Sequence, residues 1–158
     1  MSHDAFEAER GVEQLFRESG WNVIARPRGP RFTPDLLITA NGVSYVVEIK
    51  SSPEGRTDRI IPKLAEAILQ AEAYADDFPG ARPLAVIWTR SFNESLFHRL
   101  QRFHSDYGRR VAIGMVTAAG DRQFIGEPLE MLNDISREQR ETRTVGVKVR
   151  GALTFSLI

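Results

Sequence analysis

Pro34-Asp35-Leu36-Leu37-Ile38-Thr39-Ala40-Asn41-Gly42-Val43-Ser44-Tyr45-Val46-Val47-Glu48-Ile49-Lys50 is the stretch that decides the fold. Two apolar runs flank Asn41-Gly42, the dipeptide best suited to a type I′ turn, which needs positive φ at both central residues. A two-residue turn there pairs Ala40 with Val43. Asp35 then falls directly opposite Glu48, and Thr33 opposite Lys50. Opposed residues share a face, with Cβ atoms roughly 4.5–5.5 Å apart. Lys50 lies two residues past Glu48 and points to the same side.

The hairpin therefore sets two carboxylates side by side with an ammonium next to them. Like charges directly opposed destabilise a sheet, and a hard divalent cation removes that penalty. Mg²⁺ is held by one or two carboxylates plus water and phosphate oxygens. A lysine there can orient the attacking water and offset charge on the phosphate. The alternative is a surface hairpin in which Lys50 forms salt bridges with both acids. Against it stands the composition of the strands. Leu37 and Val46 lie on the acid face, and Leu36, Ile38, Tyr45, Val47 and Ile49 on the other. Strands apolar on both faces are buried, and charges there need a reason. Pro34-Asp35 followed by Glu48-x-Lys50 at the end of the next strand resembles the PD-(D/E)xK nuclease superfamily.

A length of 158 residues suits one domain, or a domain with a small appendage. The chain has no cysteine, which excludes disulfides, thiolate zinc sites and cysteine nucleophiles. His3, His98 and His104 lack ligand spacing and read as ordinary surface residues. No signal-peptide pattern and no apolar run of transmembrane length is present, so a cytoplasmic protein is expected, with no membrane partner. The 21 basic and 21 acidic residues cancel, which counts against a generally basic nucleic-acid binder. Basic residues do cluster locally: Arg26, Arg28 and Arg31 before the acid pair; Arg99, Arg102, Arg109 and Arg110 later; Arg137, Arg140, Arg143, Lys148 and Arg150 near the end. Each cluster is either a solvated face or a phosphate-binding one.

Residues 4–19 have the apolar spacing of an amphipathic helix, through Ala5, Ala8, Val12, Leu15 and Phe16, and Gly20 stands where a C′ glycine is expected. Glu9 sits at the edge of the apolar stripe, where its carboxylate can lean toward the sheet. Residues 21–25 read as a short strand, and residues 26–31 as a breaker-rich loop. This helix, strand and arginine loop, with Ala8-Glu9-Arg10 ahead of Gly20-Trp21, resemble the archaeal Holliday-junction resolvases and the Mrr-type restriction nucleases over about residues 5–90. In those families the helix glutamate helps hold metal, which implies that role for Glu9.

Residues 59–77 predict an alanine-rich helix with Leu64, Ile68, Ala71, Ala75 and Phe78 inward. Pro62 places its start at Ile61 or Pro62. Lys63, Ala67, Gln70 and Tyr74 line another face. Gln70-x-x-x-Tyr74 after the Glu48-x-Lys50 strand is similar to a motif of RecB-type nucleases, where it contacts DNA. Residues 83–89 form a continuous apolar run, a strand buried on both faces and parallel to residues 43–50. Ser91-x-x-Glu94 has the form of a capping box opening a helix to about residue 106. Strands are expected at residues 110–117 and 122–125, a helix from Pro128 to about Gln139, and an alternating strand over residues 145–157.

The expected architecture is α/β. It comprises a restriction-endonuclease-like mixed sheet flanked by helices (αβββαβ core) over residues 1–126, and an α/β extension over residues 127–158 that packs on the core or on a partner. The expected activity is metal-dependent endonucleolytic hydrolysis of DNA phosphodiesters, structure-selective or restriction-type, with RNA still open as a substrate. Asp35, Glu48 and Lys50 are the expected catalytic residues. Mg²⁺, with Mn²⁺ as a substitute, would be held by Asp35 and Glu48, together with the Ile49 carbonyl and Glu9. Arg28, Arg31, Lys63, Gln70 and Tyr74 would contact nucleic acid. Family resemblance implies 5′-phosphate and 3′-hydroxyl products. Since resolvases work as dimers, a homodimer or larger complex is a further expectation. The competing readings are a RecB-like exonuclease and a binding module that keeps the fold without catalysis.

Overall fold

The computed structural model describes residues 3–107, 109–126 and 128–133. The elements run α1 (His3–Glu18), β1 (Asn22–Ala25), β2 (Leu36–Ala40), β3 (Val43–Ser51), α2 (Thr57–Ala75), β4 (Ala81–Thr89), α3 (Glu94–Tyr107), β5 (Ala112–Thr117) and β6 (Arg122–Ile125). The six strands lie in chain order in one sheet. β1, β2 and β3 are antiparallel neighbours, β3, β4 and β5 run parallel, and β6 returns antiparallel. This is the mixed restriction-endonuclease-like sheet expected from the sequence.

The hairpin forms as its turn chemistry dictates. Asn41 and Gly42 both take positive φ, at 50° and 80°. Ala40 pairs with Val43, and the register continues to Leu36 opposite Val47. The ladder stops there, so neither the expected Asp35–Glu48 pair nor the Thr33–Lys50 pair is a rung of it; Asp35 and Glu48 meet through side-chain bonds to backbone amides. Pro34 carries no N–H to continue it, while on the other edge of β3 the pairing with β4 runs on through Lys50, opposite Ile87.

α1 ends in a Schellman motif. Gly20, at φ 91°, donates to the Arg17 carbonyl, and Trp21 donates to the Phe16 carbonyl at 3.0 Å. The buried stripe Ala8, Val12, Leu15 and Phe16 then packs on the sheet face that carries Leu36, Ile38, Tyr45, Val47, Val86 and Trp88. α2 and α3 cover the other face through Ile60, Leu64, Ala71, Phe97 and Leu100. Right-handed crossovers between successive parallel strands put both helices on one side.

Several expectations need correction. α2 begins at Thr57, not at Ile61 or Pro62, because the Arg56 carbonyl already accepts from Arg59 and Ile60 and Ile60 is drawn into the core. Pro62 is therefore inside the helix, on its exposed side. α3 is capped by Asn93, whose Oδ1 accepts from the Leu96 N–H at 3.0 Å; Ser91 does not cap it. An asparagine immediately before the helix needs no intervening turn to reach that amide. His104 is buried rather than superficial, with Nε2 2.6 Å from the Val111 carbonyl oxygen.

After β6, Leu129 and Leu132 are buried in the α1-side core, and the Asn133 amide bonds both Phe124 backbone groups. Residues 131–133 are helical. The rest of the helix expected to Gln139, the alternating strand over residues 145–157 and the basic cluster Arg137, Arg140, Arg143, Lys148 and Arg150 lie outside the described residues.

Candidate active site

Asp35 and Glu48 meet where the β2–β3 ladder ends, and each holds the other's strand. Glu48 Oε2 accepts from the Asp35 N–H at 3.0 Å, and Asp35 Oδ2 accepts from the Ile49 N–H at 2.8 Å. The carboxyl groups thus share one face, as the turn register requires. Glu48 is only 5% exposed. Burial, and then the charge of Asp35, push its carboxyl up to about 8, although the Asp35 amide and Lys50 pull the other way. Burial also raises Asp35, against the Ile49 hydrogen bond and the positive charges of Arg26 and Lys50.

Ile49 contributes through its backbone. In a two-residue hairpin the closing pair exchanges both ladder bonds, so alternate residues of β3 turn their N–H and C=O toward β2. Ile49 is one of these, and the position facing it is Pro34, which has no N–H to give. Asp35 takes the Ile49 N–H. The Ile49 carbonyl consequently receives no ladder donor from Pro34.

Lys50 lies on the same face and reaches toward α2, with Nζ 3.7 Å from Glu66 Oε2. Glu9 approaches from α1. Burial, then the Asp35 charge, raises its carboxyl, so the two acids sense each other. Its Oε1 accepts from Arg26 at 2.9 Å. Arg26 takes φ 50°, a left-handed conformation uncommon outside glycine.

The expected nucleic-acid contacts fall around this centre in different states. Arg28 is exposed. Arg31 is engaged: its Nε donates to Asp77 Oδ1 at 3.0 Å, while Asp77 Oδ2 accepts from the Arg31 and Phe32 amides. Lys63 donates to the Ser51 carbonyl, at the end of β3. The Gln70 amide reaches Glu66 at 3.5 Å. Tyr74 stacks on Phe32 with centroids 4.6 Å apart. Burial, and then the charges of Glu48 and Asp35, raise its hydroxyl. Sequence reasoning missed the partners Arg26, Phe32, Glu66 and Asp77. Of these only Arg26, in a basic loop ahead of the hairpin, carried a signal.

Among the described residues no three histidine or carboxylate side chains form a ready-made metal cage. Mg²⁺ does not need one, since water and phosphate oxygens complete its shell. A buried glutamate beside a second carboxylate is a pair of hard oxygen donors that fits such an ion.

A mixed sheet of this topology, with an acid pair and a lysine at the end of its central hairpin, defines a class: the restriction-endonuclease-like nucleases of the PD-(D/E)xK superfamily. Within that class, the model of the archaeal Holliday junction resolvase family matches residues 3–120. The chain belongs to that family, whose description implies a DNA substrate. Nucleases of this family generally depend on divalent metal ions. No curated protein matches the chain. No helix among the described residues is long and apolar enough to cross a membrane.

Proposed function

We infer that the chain is a Mg²⁺-dependent endonuclease that cuts branched, four-way DNA by hydrolysing phosphodiester bonds. The observation that carries this reading is the mutual grip of Asp35 and Glu48, with Glu48 buried and Lys50 beside it. Asp35, Glu48 and the Ile49 carbonyl would hold the ion, and Glu9 would join them once released from Arg26. When bound, the ion supplies Lewis-acid polarisation of the scissile phosphate and lowers the pKa of a water.

The chain's own residues do the rest. Lys50 positions the attacking water and stabilises charge that builds on the phosphate oxygens. Arg28 holds a neighbouring backbone phosphate, which positions the substrate without reading its sequence. Tyr74 and Gln70 line the α2 side of the same opening. Arg31 serves mainly to fix the loop, through Asp77. Residues 1–126 would constitute the catalytic unit.

The test is nicking of a synthetic four-way junction and of plasmid DNA with and without Mg²⁺. Metal-dependent cleavage that disappears in Asp35→Ala and Lys50→Ala supports the reading. Equal cleavage in EDTA, or full activity in both variants, overturns it. Binding without cleavage under every condition would point to the non-catalytic module.

A further inference from the structure

The exposed face of α3 carries a second feature that the catalytic reading leaves unused. Between α2 and α3 lies an open groove of about 450 Å³. His98, Arg99, Arg102 and Asp106 line it, together with Phe103 and Tyr107. Residues spaced three and four apart on a helix share one face, so these side chains form one stripe. The opposite stripe, Leu96, Phe97, Leu100 and His104, is buried.

What sets this stripe apart is two arginines and a histidine on one helix face beside aromatic rings. Arg17, Arg26, Arg31, Arg56, Arg90 and Arg110 each meet a carboxylate. Arg99 and Arg102 make no ion pair among the described residues. In a chain whose net charge is zero, two exposed and unmatched guanidinium groups beside a histidine are a local source of positive potential. Tyr107 adds an aromatic ring that is 71% exposed, 5.3 Å from the Phe103 ring. Arginines interleaved with aromatics suit a nucleic-acid backbone and its exposed bases.

Position supports the same occupant. β3 and β4 run parallel, so Lys50 and Ser51 end level with Ile87 and Trp88. α2 and α3 both start from that edge of the sheet and lie on the face of the acid pair. Lys63 and Glu66, in the first half of α2, face β3 and Lys50, while Ile61 of the same half lines the groove. The catalytic centre and the groove therefore flank α2, and packed helices stand about 8–10 Å apart. A helix of 14 residues is about 21 Å long, equal to about six base-pair steps of ~3.4 Å along a duplex axis.

We propose that the α3 groove is a second DNA-backbone site, which holds a duplex arm of the branched substrate other than the one being cut. It rests on the nuclease reading above for the substrate it serves. Arg99 and Arg102 pair with successive phosphates, and Tyr107 packs against sugar or base at the open end.

The probe is a labelled four-way junction beside a linear duplex of equal length, bound in EDTA by full-length protein. Arg99→Ala/Arg102→Ala weakens junction binding by roughly tenfold or more at about 0.1 M salt, and lowers the slope of log affinity against log salt by about 1.8, the loss of two phosphate contacts. Arg99→Lys/Arg102→Lys restores that slope. Unchanged affinity and slope in the alanine variant overturn the proposal. So does conversion of an oligomer to a monomer by light scattering, because the groove would then be a contact between copies. An Asp35→Asn protein that still cleaves would sink the catalytic reading yet leave the salt slope untouched, so the two failures are separable.

Discussion

Replacing Glu48 with glutamine should stabilise the metal-free protein at alkaline pH while removing its response to Mg²⁺. Glu48 holds its proton more tightly in the folded chain than in the unfolded one, with its carboxyl moved from 4.5 to about 8. The folded state therefore binds more protons between those values, and stability falls as pH rises. Glu48's contribution is fully present below about pH 4.5 and is lost as the pH climbs through about 8. At about 1.4 kcal/mol per pH unit, that window amounts to about 5 kcal/mol. Asp35 and Glu9 are raised as well and act in the same direction. Glutamine keeps the acceptor for the Asp35 amide but has no charge to bury. Urea unfolding in EDTA at pH 5, 7 and 8.5 reads the effect. The wild-type chain should lose several kcal/mol across that series, and Glu48→Gln distinctly less. Adding Mg²⁺ at about 100 times its Kd should return about 2.7 kcal/mol to the wild type at pH 8.5, and none to the variant. Parallel pH curves for the two proteins would refute the reasoning, because burial of the Glu48 charge would then cost nothing.

Lys50→Ala should lower cleavage by about 10²-fold or more, the scale for removing one charge-stabilising donor, while the Mn²⁺-induced rise in Tm persists. Asp77→Ala should speed amide exchange at Arg31 and Phe32, whose N–H groups its carboxylate accepts, and raise KM for DNA without loss of metal binding. Gly29→Ala should do the same by a different route: the added Cβ would sit 2.7 Å from Asp77 Oδ2. Phe16→Ala, deep under α1, should cost about 3–5 kcal/mol by denaturant unfolding and leave the metal response intact.

The hairpin was legible because its determinants are local. Asn41-Gly42 specifies the turn, the turn specifies the register, and the register puts Asp35 beside Glu48 with Lys50 on the same side. The buried strand β4 was legible from its unbroken apolar run, and α1 from its stripe and terminal glycine. What was not legible depends on distant partners. Nothing near Asp77 in the sequence marks it as the acceptor for a loop 46 residues away. Arg31 reads as a free phosphate ligand until that partner is seen. Glu9 showed its place on the stripe but not its bond to Arg26. The start of α2 was misplaced because burial of Ile60 outweighs the hydrogen bond lost at Pro62. His104 looked superficial because its acceptor, the Val111 carbonyl, lies beyond the end of its own helix.

The most direct test of the central claim is a crystal structure of the protein soaked in Mn²⁺, with the ion located by its anomalous signal. One peak should lie between the Asp35 and Glu48 carboxylates, within bonding distance of the Ile49 carbonyl oxygen. An ion bound elsewhere, or an empty acid pair in a crystal of protein that cleaves DNA with Mn²⁺, would contradict it.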